Sequence, residues 1–203
     1  MQEGGDDDSK IAALRALFDR AEWRLEREEG GTRVTSLEEG GTFWLRVQAV
    51  FPLEAFAELV DVLDTNLETR QKEWHELLLE GGGVLVQSSP ARQLCYFAYR
   101  SPFPLSDRDC LYVKVSEAPD ADTLLLFYWT IADEALKPLD PRRVRIDFRA
   151  AHAVQRGPEG VGYDYIQCSD AKLLLPDFIL KSAQVKILIG EVAGLRRAVA
   201  PRA

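Results

Sequence analysis

The spacing of apolar and polar residues along the chain predicts an alternation of helices and strands. Apolar residues recur every three or four positions from Ile11 to Phe18, behind Ser9, a residue type that often caps helices, so a first helix is expected there. Strict alternation follows, and two Gly-Gly pairs, at 30–31 and 40–41, break it into a meander of hairpins. The three strands of this meander are predicted near 23–28, 32–38 and 42–50.

The rest of the chain has the pattern of a larger sheet followed by a helix. Pro52 suits the first turn of a helix, and a short second helix carries Trp74. From Pro176 to about Val199, apolar residues follow the i, i+3, i+4, i+7 rule, so a long amphipathic helix is expected to lie across the sheet. Between these helices, alternation predicts strands near 83–88, 92–100, 109–116, 123–131, 142–155 and 161–168, the last two joined by a hairpin turn.

One segment joins two of these strands through a stiff crossing. Residues 96–115 read YFAYRSPFPLSDRDCLYVKV, in which two alternating stretches flank Pro102 and Pro104. Each proline fixes φ and lacks an N–H, so the backbone cannot stay in a ladder there and is expected to form a rigid surface turn. Ser106 and Asp107 are short polar residues of the kind that bond nearby backbone in turns.

This segment resembles the P-x-P-L-S-x-R-D signature of the StAR-related lipid-transfer (START) domains. Three further segments resemble the same family in the same order: F-W-L-R-V followed by F-P within 43–52, R-Q-K-E-W-H at 70–75, and D-A-K-L-L-L-P at 170–176. His75 replaces an acid that is usual in the family, and Ala171 and Leu173 stand where Pro and Gly are usual. The resemblance covers the chain from about Trp23 to its end.

The resemblance implies an α+β helix-grip fold, in which a curved antiparallel sheet wraps around the long C-terminal helix and encloses an apolar cavity. The expected division is a disordered acidic tail at 1–8 and a single START-like lipid-binding domain at 9–203. The implied function is to bind one lipid or sterol in the cavity and transfer it between membranes, without a cofactor or metal. Two alternatives stay open, a helix-grip enzyme similar to polyketide cyclases and a lipid-responsive sensor module.

Composition and charge narrow the expected partners and compartment. The net charge of −8 argues against general nucleic-acid binding, which needs a basic face. The acids are concentrated in the first 80 residues, and the remainder, with 14 acids and 16 bases, is close to neutral and suits transient contact with a membrane surface. Three widely spaced cysteines indicate buried thiols in a reducing compartment, and the N-terminus lacks the features of a signal peptide. A cytoplasmic monomer is therefore expected.

Residues capable of catalysis are sparse in the sequence. His75 lies in a polar helical stretch and is expected to face solvent. His152 shares a strand face with apolar residues, where a hydrogen-bonded sheet histidine is the simpler interpretation than a catalytic base. The enzyme alternative requires His152, or Tyr163 and Tyr165, to point into the cavity beside a polar partner. We therefore predict no catalytic residues and a protein that is not an enzyme.

A ligand-binding interpretation needs only an enclosed apolar space with a few polar groups. Periodicity does not distinguish a cavity lining from a solid core, and the resemblance favours the cavity. Arg46 and Arg100 are candidates for binding a headgroup, and a gate is expected between 173–178 and the loop 133–141, through Leu136 and Leu139. The predicted lining is Leu45, Val47, Phe97, Tyr99, Leu111, Val113, Val144, Ile146 and Phe148 on strands, and Phe178, Val185, Leu188 and Val192 on the final helix.

Overall fold

The fold is an antiparallel sheet with helices on both faces. The computed structural model describes residues 3–101, 105–170, 172–173 and 175–200. Its helices are α1 (Glu3–Phe18), α2 (Phe56–Val60), α3 (Leu67–Trp74) and α4 (Asp177–Ala198), with a 3-10 turn at Leu53–Ala55 and a π-helical turn at Asp61–Thr65. None of the helices in these ranges is both long and apolar enough to cross a membrane.

Ten strands build one curved sheet. They are β1 (Arg24–Glu29), β2 (Thr32–Glu39), β3 (Thr42–Phe51), β4 (Leu78–Ser89), β5 (Arg92–Tyr99), β6 (Asp107–Asp120), β7 (Thr123–Thr130), β8 (Arg143–Arg145), β9 (Asp147–Gly157) and β10 (Gly160–Asp170). Their order is β1-β2-β3-β10-β9-β7-β6-β5-β4, and the short β8 pairs in parallel with the start of β6. The early meander therefore joins the rest of the sheet through β3 and the last strand, β10.

The two Gly-Gly pairs form the hairpin turns that the sequence predicts. Gly30 and Gly31, and likewise Gly40 and Gly41, all have φ between 56° and 77°. Two consecutive residues with positive φ are typical of the type I′ turn, which matches the twist of the flanking strands. The two-residue turn fixes the register of β1 against β2, in which Glu29 lies opposite Thr32.

The sheet has two packed faces. The inner face looks toward α2, α3 and α4 and carries the largest hydrophobic cluster, with Leu45, Val47, Leu126 and Val154 among its buried members. The outer face is covered by α1, whose Leu14 and Leu17 pack with buried side chains from β3, β6, β7, β9 and β10. The α+β helix-grip architecture is confirmed, with α4 on the inner face.

Three predictions of local structure need correction or fall outside the description. The disordered tail at 1–8 is wrong where it overlaps α1, because residues 3–8 are helical and Asp7 forms an ion pair with Arg92 on β5, with 2.7 Å between carboxylate oxygen and Nε. The single strand predicted at 142–155 is divided into β8 and β9. The residues Pro102, Phe103, Pro104, Ala171 and Leu174 lie outside the described ranges.

Candidate ligand cavity

A cavity of about 460 Å³, partly open to solvent, lies between the inner face of the sheet, α3 and α4. Its apolar lining comes from Leu63, Leu67, Trp74, Leu77, Phe97, Leu105, Ile146, Phe148, Leu173, Leu175, Ile179, Leu180, Ala183 and Ile187, and its polar lining from Gln71, His75, Tyr99, Arg100, Ser101, Arg108, Tyr112, Tyr128, His152, Tyr163, Tyr165, Gln167, Ser169, Gln184, Lys186 and Glu191. Apolar and aromatic side chains together form most of this lining, and polar side chains reach it from both helices and from the strands.

Four of the predicted strand residues line this cavity. Phe97, Tyr99, Ile146 and Phe148 all border it, and the ring of Phe97 packs edge-on against that of Phe148, with 6.1 Å between ring centroids. Leu45 and Val47 also face inward, but they are fully buried in the inner cluster and do not reach the cavity. Val144 lies on β8, opposite Arg108, and is not part of the lining.

The assignment of Leu111 and Val113 to the cavity is wrong, because both point to the outer side of the sheet. Their neighbours Tyr112 and Lys114 point inward instead, and Lys114 is 1% exposed. The Lys114 ammonium lies 2.6 Å from a carboxylate oxygen of Asp64 in the π-helical turn. Because a buried lysine is tolerated only when it is paired, and because both faces of β6 are buried, the apolar pattern of this strand indicated the wrong face.

Helix α4 presents three different faces. One packs in the inner cluster through Val185, Leu188 and Val192, which were predicted to line the cavity but are buried against protein. A second face, marked by Ile179, Ala183 and Ile187 at intervals of four residues, borders the cavity. The third faces solvent. Phe178, also predicted to line the cavity, is 70% exposed at the start of the helix.

The two arginines predicted to bind a headgroup lie in different places. Arg46 is on the outer face, where it forms an ion pair with Asp164, at 2.5 Å between Nη2 and Oδ2, and lies over the rings of Phe18 and Trp23. It cannot reach the cavity without breaking these contacts. Arg100 does line the cavity, at the end of β5.

The mouth of the cavity also differs from the predicted gate. Leu105, Leu173, Leu175 and Ile179 border the cavity, and the first, third and fourth of these are large apolar side chains with 36–42% exposure. The loop 133–141 lies elsewhere, because Leu136 packs against an outer-face cluster of Tyr96, Ala98 and Leu111, while Leu139 is 54% exposed. Of the predicted gate, Leu173 and Leu175 border the cavity, whereas Leu136 and Leu139 do not.

One wall of the cavity carries a cluster of tyrosines around His152. The imidazole has a tyrosine hydroxyl near each ring nitrogen, Tyr128 Oη at 3.3 Å from Nδ1 and Tyr163 Oη at 3.4 Å from Nε2. Tyr165 lies directly opposite His152 in the ladder, with 4.2 Å between ring centroids, and donates its hydroxyl to Gln167. Burial lowers the pKa of His152 to about 3, so the ring is neutral at pH 7. Burial also raises the pKa of Tyr128, Tyr163 and Tyr165 well above the usual value for tyrosine.

A second polar group joins α3 to α4 and was not identified from the sequence. His75, expected to face solvent, borders the cavity, and its Nε2 lies 3.5 Å from a carboxylate oxygen of Glu191. Burial raises the pKa of Glu191, and the accessible part of this side chain faces the cavity that it lines. In the sequence, Glu191 lies off the apolar stripe of this helix and gives no sign of an interior position. Only the position of α3 beside α4 reveals its role.

A larger hollow elsewhere on the molecule is an open groove. It has a volume of about 650 Å³ and runs past Gln48, Val50, Ala153 and Gly162 on β3, β9 and β10. Because it is more open than the cavity beside α4, it would remove less of an apolar molecule from water. The cavity beside α4 is therefore the better candidate for a functional site.

Comparison with known proteins supports this fold. Human StAR-related lipid transfer protein 5 superposes with a TM-score of 0.84 at 17% sequence identity, and the match covers 98% of both chains. The chain has the START fold. Human STARD10 matches at a TM-score of 0.77 and 16% identity over 93% of this chain and 78% of that one. A START-fold protein from Xanthomonas axonopodis, described as a STAR-related lipid transfer protein, matches at 0.72 and 19% identity over 89% and 100%.

At the level of sequence, no family model and no curated protein matches the chain. The START fold is therefore established by structure alone. What the cavity does has to be argued from its own residues.

Proposed function

We propose that the protein binds a single lipid or sterol in this cavity and transfers it between membranes. The observation that carries this proposal is the cavity itself, bounded by the sheet, α3 and α4 and lined mainly by apolar and aromatic side chains. A sixteen-carbon chain exposed to water costs roughly 13 kcal/mol, at about 0.8 kcal/mol per methylene. A carrier must therefore cover most of such a chain, and the apolar walls of this space supply a surface for doing so.

The size of the cavity favours a small ligand. If each water-sized group occupies about 30 Å³, the cavity of about 460 Å³ holds about fifteen such groups. A single hydrocarbon chain or a compact ring system matches this volume. A two-chain lipid with about 32 chain carbons would need about twice as much space.

Organic extraction of the purified protein, followed by mass spectrometry, tests the binding step. We expect about one molecule of a single lipid class per protein chain. Extracts with no lipid, combined with failure to take up lipid from vesicles, would overturn the proposal.

The rim of the mouth supplies a surface for transient membrane contact. Phe178, Leu175 and Ile179 are exposed apolar side chains grouped at the start of α4, and Arg100 and Lys186 border the cavity. Exposed apolar groups clustered in this way mark interaction sites more often than isolated ones do. We therefore place the membrane contact at this rim rather than at the loop 133–141.

A double variant, Leu175→Asp with Phe178→Asp, tests this placement. Transfer of a fluorescent lipid between vesicles should slow by at least about tenfold, because carboxylates resist entry into the bilayer, whereas lipid binding in solution should persist. Leu139→Asp is the matched control, since Leu139 is also exposed but lies in the loop 133–141. Equal slowing by the control would place the membrane contact elsewhere.

A second function, an enzyme that acts on an apolar substrate, is favoured by one observation. His152 lies on the cavity wall between two tyrosine hydroxyls, the arrangement that acid–base chemistry would require. Against it, the low pKa of His152 makes the imidazole a weak base at pH 7, and its hydrogen-bond partners among the described residues are tyrosines rather than a carboxylate. A ligand recovered chemically unchanged after prolonged incubation supports the carrier.

A further inference from the structure

The tyrosine–histidine wall of the cavity has hydrogen-bonding capacity that the protein itself does not use. A neutral imidazole has one N–H donor and one bare nitrogen acceptor. A tyrosine hydroxyl lies near each ring nitrogen of His152, that of Tyr128 near Nδ1 and that of Tyr163 near Nε2. Whichever tautomer is present, one hydroxyl donates to the bare nitrogen and the other accepts from the N–H.

This pairing leaves one donor and one acceptor available. The hydroxyl that accepts from His152 retains its own proton, and the hydroxyl that donates retains its lone pairs. Within the described residues, neither the Tyr128 nor the Tyr163 hydroxyl has a further hydrogen-bond partner. Because the imidazole can exchange tautomers, the free donor and the free acceptor can also exchange places.

Among the described residues, the hydrogen bonds of this wall involve no charged group. The nearby buried cation, Lys114, is already neutralised by Asp64 at 2.6 Å. Of the other charged groups that border the cavity, Glu191 is held by His75, Arg108 donates to the backbone carbonyl of Ser106, and Arg100 and Lys186 lie just after β5 and on α4. An anion bound beside His152 would therefore have to give up its hydration without gaining a counter-ion.

The wall also lies well inside the molecule. Strand β9 begins at Asp147, which pairs with Lys172 beside the mouth. His152 is five residues further along, about 17 Å at about 3.3 Å per residue. A polar group bound there is deep in the cavity, and the apolar part of the ligand extends toward the mouth.

We propose that Tyr128, His152 and Tyr163 form a recognition site for an uncharged hydroxyl or carbonyl oxygen, so that the ligand is a neutral amphiphile bound with its polar end inward. This inference rests on the proposed lipid-binding function and specifies its ligand class. A hydroxyl group uses both the free donor and the free acceptor, and a carbonyl uses the donor.

Competition among four sixteen-carbon probes tests the inference. 1-Hexadecanol, hexadecane, palmitate and palmitoyl lysophosphatidylcholine are compared by displacement of the neutral dye Nile red from the cavity. The wild-type protein should bind hexadecanol about tenfold more tightly than hexadecane or palmitate, the ratio that one or two neutral hydrogen bonds supply. A preference for palmitate would place the headgroup at the mouth, and a preference for lysophosphatidylcholine would make the tyrosines a cation-binding cage; either result overturns the inference.

The double variant Tyr128→Phe with Tyr163→Phe keeps the shape of the wall and removes both hydroxyls. Its affinity for hexadecanol should fall about tenfold, to the level of hexadecane, while hexadecane binding changes less than twofold. If the double variant does not fold, the single variant Tyr163→Phe is used instead. Its affinity for hexadecanol should fall about threefold, and its affinity for hexadecane should not change. An unchanged preference for the alcohol in a folded variant refutes the site. If the wild type binds none of the four probes, the proposed function fails as well.

Discussion

At the residue scale, the closest approach between α3 and α4 depends on a single glycine. A Cβ atom built on Gly194 would lie 2.2 Å from the backbone oxygen of Trp74, a distance that only movement of one helix can relieve. Trp74 borders the cavity, so this contact also fixes the position of the cavity wall. Gly194 is thus a packing residue with a direct effect on the site.

Gly194→Ala should destabilise the protein by about 1–3 kcal/mol, because the added methyl group forces the two helices apart. Gly190→Ala, one turn earlier in the same helix, is the matched control. A Cβ at Gly190 meets nothing within 4 Å, so this change should stabilise the helix by up to about 1 kcal/mol. Denaturant unfolding of both variants measures the difference, and equal effects would contradict the close approach.

Single residues also explain where prediction of the site from sequence failed. Phe97, Tyr99, Ile146 and Phe148 alternate in segments whose inner face could be identified from the sequence, and the structure places them at the cavity. On β6 the inward residues include Lys114, which no apolar pattern assigns to an interior. Its partner Asp64 is fifty residues away in the chain, so the pairing is visible only in three dimensions.

At the element scale, helix α4 uses one face to pack against the protein core and another to border the cavity. The sequence predicts the helix almost to its ends, because Pro176 and a regular apolar stripe are strong local signals. It does not indicate that the stripe of Val185, Leu188 and Val192 packs against protein, while Ile179, Ala183 and Ile187 border the cavity. Because both faces of the helix carry apolar residues, hydrophobic periodicity alone cannot tell which face packs against protein and which borders the cavity.

Ala183→Trp tests this division. The indole should occupy part of the cavity and reduce uptake of a fluorescent lipid by at least about tenfold, with little loss of stability, because Ala183 packs against no core residue in the inner cluster. Ser182→Trp serves as the control, since Ser182 does not line the cavity and lies about 100° around the helix from Ala183. Normal uptake by a folded Ala183→Trp protein would show that the ligand does not contact this face.

At the scale of the whole molecule, the buried His152 makes folding stability depend on pH. Its pKa is about 3 in the folded protein, compared with about 6.5 in an unfolded chain. Below pH 6.5 the unfolded chain takes up a proton that the folded protein does not, so stability falls as the pH falls from 6.5 toward 3. This group alone should remove about 2 kcal/mol between pH 7 and pH 5.

The comparison of wild type with His152→Gln isolates that contribution. Other groups also respond to acid, including Asp61, whose pKa is lowered by its hydrogen bond to Arg70, but they are common to both proteins. Urea unfolding at pH 7 and pH 5 should therefore show a smaller loss of stability in the variant, by about 2 kcal/mol. Identical losses would mean that His152 is accessible to solvent protons in the folded state.

The overall architecture was easier to predict than the site. Strand and helix order follow from local signals such as the Gly-Gly turns and the alternating segments, and each of these acts within a few residues. The cavity depends on which strand face is turned inward and on how α3 meets α4, which are properties of distant contacts. The motif containing Pro102 and Pro104 gave the resemblance its strongest support, although those two prolines lie outside the described residues.

Because both faces of the sheet are packed, substitutions that change the ligand preference need not disturb the whole protein core. The outer cluster beneath α1 is a solid core built from residues such as Phe127, Trp129 and Ile166, none of which borders the cavity. Substitutions on the cavity wall therefore leave that core intact. A second core that is independent of the cavity wall can keep the fold in place while lining residues outside the inner cluster, such as Ala183 and Ile187, change, so new ligand specificities are accessible there through a few substitutions.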